Sequence, residues 1–238
     1  MKIFDIDGTF YKIMTELADL VILSVYWIIG CLPIITIGTS TSALYYVYGK
    51  KIRKEDPYIT REFVKSYKSN FKQSIPITLI LIALWVSAFF YSLIRTGPSA
   101  PLWVSMAVAG FVLFYAIEVT LISLYSTAIL SRFELSVKNT FLLAFIFTHK
   151  HLVTSFIMLL SFLILVDLAL MVPTVLIVAP ALLAVIHSFL LNKVFNKNME
   201  LIVDDGQSAE EDDTPGIYAG WENAQEPEEE DKDFLKYI

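Results

Sequence analysis

The strongest constraint on this chain is a series of long apolar runs that contain almost no charge. A helix needs about 20 apolar residues to cross the hydrocarbon core of a bilayer. Four runs reach or exceed that length: 17–37, 75–94, 102–130 and 152–191. The last run is twice as long as one crossing requires, and proline suits the first position of a helix, so we read it as two helices joined near Val172 and Pro173. The sequence therefore predicts an all-α, multi-pass transmembrane bundle of five or six membrane helices.

The charges divide the chain into two regions. Residues 1–203 hold 16 Lys and Arg against 11 Asp and Glu, whereas residues 204–238 hold 2 against 13. The chain is 56% hydrophobic overall, above the 45–50% or so that is usual for soluble domains. We therefore expect a transmembrane helical domain over 1–203. The acidic segment 204–238 is too poor in apolar residues to fold alone, and we expect it to be a disordered cytoplasmic tail.

The chain opens with a motif that suggests an enzyme. Residues 5–9 read D-I-D-G-T, which resembles the first motif of haloacid-dehalogenase-like phosphatases, where the first Asp accepts a phosphoryl group. Such a phosphatase needs a soluble α/β domain of more than a hundred residues, yet the first apolar run begins about eight residues after the motif. Asp and Thr also favour the start of a helix. We therefore expect no catalytic residues and no enzymatic activity.

Cofactor and metal chemistry find no support in the residue pattern. Cys31 is the only cysteine, which excludes an intramolecular disulfide and a cysteine-rich metal site. The two histidines His149 and His151 stand two residues apart and do not share a helix face. The phosphate-binding P-loop pattern is absent. We expect no cofactor, no metal and no nucleic-acid partner.

Basic residues predict how the chain is oriented in the membrane. The segment 50–72 contains eight Lys and Arg residues, which marks it as cytoplasmic, whereas the turn 95–101 contains only Arg95. Lys193 and Lys197 place the carboxyl terminus in the cytoplasm by the same rule.

The first apolar run leaves two topologies open. If 17–37 crosses once and 38–49 is a loop, the amino terminus lies outside and the chain crosses five times. Alternatively, Pro33 and Gly38 break a helical hairpin, in which helices over 10–32 and 38–53 bring the chain back to the cytoplasm. The small residues after Gly38 allow close helix packing and favour the hairpin. The hairpin would place Gly38 near the outer face.

The first 75 residues resemble the YesL-like family of bacterial membrane proteins. The residues that carry the resemblance are L-P-I-I-T-I-G at Leu32–Gly38, A-L-Y-Y-V at Ala43–Val47 and N-F-K-Q at Asn70–Gln73. The acidic tail has no counterpart in that pattern. The resemblance implies a protein of the bacterial cell (plasma) membrane with no known activity. It also implies a genomic setting beside ATP-driven (ABC-type) sugar importers and carbohydrate-degrading enzymes.

Two linkers between apolar runs have an amphipathic pattern. In 59–73, aromatic residues at helical spacing oppose Lys65, Lys68 and Lys72, which is typical of a helix that lies on the membrane surface. The linker 134–150 begins polar, is apolar in the middle and ends basic. We expect both to be cytoplasmic linker helices.

Ionisable residues inside the apolar runs are the candidate functional residues, because burying a charge in a membrane is costly. Glu118 and His187 both fall about 20–24 Å from the outer ends of their predicted helices, so they could pair and bind a polar ligand or relay protons. The other reading is that Glu118 is protonated or bonds a Ser or Tyr hydroxyl on a neighbouring helix. Arg95 and Asp167 lie near the outer face and could form a structural pair.

Two functions remain open at this point. The first is a non-enzymatic accessory or regulatory protein whose partner is a subunit of an ABC-type sugar importer. The second is a small secondary transporter or channel that works through Glu118 and His187. Five or six helices are few for a carrier, so the second function would require a homo-oligomer.

Overall fold

The computed structural model of the protein describes residues 9–55, 57–93 and 101–198. Over these residues the chain is helical, and no strand occurs among them. The helices are α1 (Thr9–Gly30), α2 (Ile37–Ile52), α3 (Ile59–Ser92), α4 (Leu102–Leu130), α5 (Val137–Lys150), α6 (Leu152–Met171) and α7 (Ala179–Lys197). Two short 3₁₀ helices, Ile34–Thr36 and Pro173–Ile177, join α1 to α2 and α6 to α7. The all-α prediction is confirmed.

Five of these helices are long and apolar enough to cross a membrane: α1, α3, α4, α6 and α7. The predicted helix 102–130 coincides with α4, and the run 152–191 divides near Pro173 as predicted. The last helix begins later than expected, because the 3₁₀ turn after Pro173 precedes α7, which starts at Ala179. The fifth span candidate is therefore 19 residues long.

The amino-terminal hairpin forms with its break where Pro33 and Gly38 predicted it. Pro33 is extended, with φ −79° and ψ 120°, and α2 runs back along α1. Lys51 at the end of α2 contacts Asp19 and Glu16 of α1, at 2.5 and 2.9 Å. The Thr36 hydroxyl donates to the carbonyls of Gly30 and Pro33, both at 2.7 Å. These bonds satisfy backbone carbonyls that the break would otherwise expose.

The amphipathic segment 59–73 is helical but does not form a separate surface helix, so that expectation is wrong. It continues without interruption into the apolar run 75–94, and the two together form the 34-residue helix α3 with Pro76 inside it. Phe63 and Asn70 are buried against protein rather than lipid. The physical reason is that α2, which is rich in small residues, offers this face of α3 a closer packing surface than the bilayer does.

The second helix of the hairpin, α2, packs along the first half of α3. Lys50 near the end of α2 binds Glu62 at 3.0 Å, and Thr39 near its start bonds Ser74. A Cβ at Gly38 would collide with the hydroxyl of Thr78. Gly38 thus lies beside Thr78, four residues into the run 75–94. The prediction that Gly38 lies near the outer face of the membrane stays a prediction.

The other predicted linker, 134–150, is confirmed as helical over most of its length, as α5. Its first turn is capped by Ser136, whose hydroxyl accepts from the Asn139 amide at 3.3 Å. The helix packs chiefly on α4, and His151 separates it from α6. The chain therefore places α5 between the two apolar helices α4 and α6.

The core lies where α2 meets α3, α4 and α7. Its largest fully buried side chains include Tyr125, Phe147 and Phe195, and small or hydroxylated residues fill the helix contacts around them. By contrast, large aliphatic and aromatic side chains stand exposed along α1 and α6. This inversion of the soluble-protein pattern is what an apolar solvent requires of a protein surface.

Candidate functional site

His187 lies at the centre of a buried polar cluster between α2, α6 and α7. Its ring is fully buried, and Nδ1 lies 2.8 Å from the Tyr45 hydroxyl. Nε2 lies 2.9 Å from the Ser161 hydroxyl and 3.2 Å from the Met158 carbonyl. The rings of Tyr45 and His187 also stack, with centroids 6.2 Å apart. Both ring nitrogens are therefore satisfied within the protein.

The partners of His187 define its tautomer. The Met158 carbonyl can only accept, and the Ser161 hydroxyl already donates to that carbonyl at 2.9 Å. A neutral imidazole has one donor and one acceptor nitrogen. The consistent arrangement has Nε2–H donating towards Ser161 and Met158 while Nδ1 accepts from Tyr45. His187 is thus a neutral side chain whose hydrogen bonds connect α7 to α2 and α6.

A cavity of about 10 Å³ lies next to this cluster, lined by Tyr45, Ala128, Ser131, Arg132, Ser188, Leu191 and Phe195. That volume is at the lower limit for one water molecule. The buried Ser188 hydroxyl has no partner among the described residues. This cavity has no room for a sugar.

Glu118 does not meet His187, so the predicted intramembrane pair is wrong. Its Oε1 instead lies 3.5 Å from Nε2 of His149 at the end of α5. The depth estimate failed because it counted His187 from Thr174, whereas α7 begins at Ala179 and faces α2 and α6. Equal depth along two helices does not place two side chains on facing surfaces.

The contact between Glu118 and His149 needs a proton. Nδ1 of His149 lies 3.0 Å from the Phe145 carbonyl and must donate to it, which leaves Nε2 as a lone-pair acceptor in the neutral ring. Attraction between Nε2 and Oε1 therefore requires either an imidazolium or a protonated carboxyl group. The second carboxyl oxygen, Oε2, is buried and has no partner among the described residues.

The remaining predicted pair, Arg95 with Asp167, includes a residue outside the described part of the chain. Arg95 falls in 94–100, outside the part of the chain that the structure describes. Asp167 is exposed on α6, and the described residues provide no ion-pair partner for it. The prediction that these two residues pair is therefore untested.

The structure adds an ionic cluster that sequence reasoning missed. Lys51 is held between Asp19 and Glu16, and its side chain is only 17% exposed. Burial alone would lower the pKa of Lys51, but hydrogen bonds to the two carboxylates outweigh burial and raise it. The sequence did contain a signal. Glu16 and Asp19 precede the break at Pro33 by about as many residues as Lys51 follows it, so an antiparallel hairpin brings them together.

Tyr45 and Ser161 were also missed as partners of His187. Tyr45 lies in the A-L-Y-Y-V motif, but nothing in the spacing distinguishes it from Tyr46, which faces outward enough for Lys50 to lie 5.2 Å from its ring. Only the pairing of α2 with α7 shows which tyrosine turns inward. The described residues contain no group of three or more His, Cys, Asp or Glu side chains that could hold a metal.

One face of α3 is both basic and exposed. We use the name α3 basic face for Arg61, Lys65, Lys68 and Lys72, which recur at helical spacing along the half of α3 that precedes Pro76. All four are exposed, and they lie on the side of α3 opposite Phe63 and Asn70. Glu62, the nearby acid, is already bound to Lys50. Among the described residues, no carboxylate forms an ion pair with these four cations.

The fold and these contacts define a helical integral membrane protein whose buried polar groups tie helices together. Residues 20–91 match the profile of a family described as "Protein of unknown function, DUF624". The matched region contains the second half of α1, the break, α2 and almost all of α3. No curated protein and no solved structure matches the chain.

Proposed function

We propose that the protein is a non-enzymatic accessory or regulatory partner of ABC-type carbohydrate uptake in the plasma membrane, with its carboxyl terminus in the cytoplasm. The observation that carries the proposal is the α3 basic face, an exposed charged surface joined through one continuous helix to a membrane span. The resemblance to YesL-like proteins supports the importer as the partner.

The interior supports binding of a partner rather than transport by this chain alone. A carrier needs a substrate-sized site between its helices, usually near the middle of the membrane. The cavity beside His187 holds only about 10 Å³. A larger cavity of about 250 Å³ is lined by Glu16, Tyr48, Lys51, Ile52 and Val185, so it lies at the ionic cluster and neither Glu118 nor His187 lines it. Glu118 and His187, which the transport hypothesis required to act together, contact different helices. The geometry therefore favours the accessory function.

The α3 basic face has the properties of a contact surface. Lysines and arginines that face hydrocarbon are costly, so this side of α3 must face water or an acidic partner. Charge on such a surface mainly steers association and selects the partner. An importer subunit with an acidic cytoplasmic surface would pair with the four cations of the α3 basic face.

Affinity purification from gently solubilised host membranes tests the proposal. We expect mass spectrometry to identify a membrane subunit of a sugar importer in stoichiometric amount. The double variant Lys65→Glu/Lys68→Glu should reduce its recovery severalfold and slow growth on the imported sugar. The matched control Lys150→Glu/Lys193→Glu reverses two exposed lysines on α5 and α7 and should leave recovery unchanged.

Two results would contradict the proposal. One is recovery of the protein only as a homo-oligomer, with no importer subunit. The other is sugar uptake by the purified protein in vesicles without any partner, which would make the chain itself a transporter.

A further inference from the structure

We propose that the acidic segment 204–238 docks on the α3 basic face of its own chain and covers it when no other acidic surface is bound. This inference uses the same face as the proposed function but does not depend on it, since it concerns the isolated chain.

The first argument is charge complementarity. The segment holds 13 Asp and Glu against 2 Lys, and the face holds four cations that no described carboxylate neutralises. A basic face and an acidic segment in one chain are attracted, and the tether raises the local concentration of the segment to the order of mM. No intermolecular competitor reaches that concentration easily.

The second argument is the apolar pattern. Val64 and Phe71 lie on the same side of α3 as the lysines, and they are 39% and 37% exposed. The acidic segment is interrupted by two apolar groups, around Trp221 and around Phe234. Acidic residues alone would suit any basic surface. Acidic residues spaced by aromatic ones suit a row of lysines that Val64 and Phe71 border on one side.

The third argument is reach. The described chain ends at Asn198, directly after α7. Phe195 of α7 packs on Phe133 at 5.5 Å, and the loop that holds Phe133 and Leu135 accepts a hydrogen bond from Gln73 of α3. Two contacts therefore connect the end of α7 to the end of the face. Residues 199–204 can span about 20 Å when extended, and the face itself is about 17 Å long.

The fourth argument favours the acidic segment over lipid headgroups as the occupant of the α3 basic face. The face runs along a helix that continues into a membrane span, and it rises about 17 Å along that helix. A headgroup layer is only about 6 Å deep on each side of the bilayer. Lipid phosphates could contact only the part of the face nearest the membrane, whereas an extended acidic segment can follow its whole length.

Zero-length carbodiimide coupling of the purified full-length protein tests the inference, because it joins a lysine amine to a carboxylate only when the two are in contact. We expect coupling between Lys65, Lys68 or Lys72 and acidic residues of 204–238, at the mass of a single chain. Raising the salt from 0.1 M to 1 M should suppress it, because the screening length falls to about 3 Å.

Charge reversal provides the sharper test. Lys65→Glu/Lys68→Glu should lower coupling at Lys72 by about tenfold, and the exposed-lysine control Lys150→Glu/Lys193→Glu should not. Adding Glu228→Lys/Glu229→Lys to the first pair should restore coupling, now with the carboxylates on α3. Equal melting temperatures of the variants would show that all of them fold.

Each other outcome overturns the inference. Coupling spread equally over all exposed lysines means that the segment has no preferred surface. Coupling only at the mass of two chains means that it binds a second copy. Loss of coupling in nanodiscs of anionic lipid, with retention in zwitterionic ones, means that lipid headgroups occupy the face instead.

Discussion

The helix α7 and the helix α6 are neighbours of similar length, yet they use opposite rules of packing. In α7, 44% of the most apolar window is buried, and the buried positions include Ala181, Ala184 and Ser188. In α6 only 17% is buried, and the exposed positions are large aliphatic and aromatic side chains. Small side chains allow close approach of helix backbones, whereas large ones fill lipid-facing surface. The mean hydropathy of α6 is higher, but more of α7 is buried in the helix contacts that specify the fold.

The largest effect should come from removing the His187 side chain, whose hydrogen bonds connect α2, α6 and α7. His187→Leu leaves the buried Tyr45 hydroxyl without its partner, at about 1–3 kcal/mol for an unsatisfied group, and removes the donor to Ser161 and Met158. We expect a loss of about 3 kcal/mol in the free energy of unfolding, measured by thermal or denaturant unfolding in detergent. The double variant His187→Asn/Tyr45→Phe should lose less stability. It removes the Tyr45 hydroxyl together with its partner and keeps an amide at position 187 that can bond the Met158 carbonyl or Ser161. An unchanged stability would mean that the cluster does not hold α6 to α7.

The next effect should come from the close approach of α2 and α3. Gly38→Ala places a Cβ against the Thr78 hydroxyl, so we expect a loss of about 2 kcal/mol, as is usual for overpacking. Adding Thr78→Ala removes the obstructing atoms and should recover most of the loss. Gly110→Ala in α4 is the control, because its Cβ would meet nothing within 4 Å. Equal effects at Gly38 and Gly110 would contradict the contact.

The ionic cluster at the base of the hairpin should contribute less. Lys51→Met removes the contacts with Asp19 and Glu16, and we expect a loss of about 1 kcal/mol. Because the pKa of Lys51 is raised in the folded protein, its contribution is complete below about pH 10.5 and is lost as the pH rises through the folded value. A wild-type minus Lys51→Met stability difference that disappears below pH 9 instead would show the opposite shift.

The smallest effect should come from Glu118. Its contact with His149 is long and lies at a partly exposed surface, so Glu118→Gln should change stability by less than about 1 kcal/mol. Sugar-dependent growth should also remain normal. Loss of growth with a stable, correctly inserted Glu118→Gln protein would restore the transport hypothesis.

Periodicity and length predicted most helices of this fold well. They failed where contacts between helices determine whether two segments form one helix. The apolar run 102–130 and the break near Pro33 follow from local rules: an uncharged stretch forms a helix in the membrane, and proline interrupts it. The union of 59–73 with 75–94 was missed, because the basic amphipathic pattern of 59–73 is typical of a surface helix and its packing on α2 is a tertiary contact.

The candidate site was predicted less well for a related reason. Sequence singled out His187 because an ionisable group in an apolar run is costly, and that residue does lie in a buried polar cluster. Its partners could not be predicted, because they come from α2 and α6, at positions 45 and 161. Burial of a charge can be inferred from one helix, whereas the identity of the compensating group requires the arrangement of all three.

The helix α3 also has a mechanical consequence. Its 34 residues make a rod about 51 Å long, with Pro76 almost at its midpoint. Proline lacks an amide hydrogen, so one intrahelical bond is missing there and bending is easier than elsewhere along the rod. With arms of nearly equal length on either side of this joint, a lateral force of a given size at Arg61 exerts about the same torque as one at Ser92. Stiffness at residue 76 therefore determines whether a load at one end reaches the other or is absorbed between them.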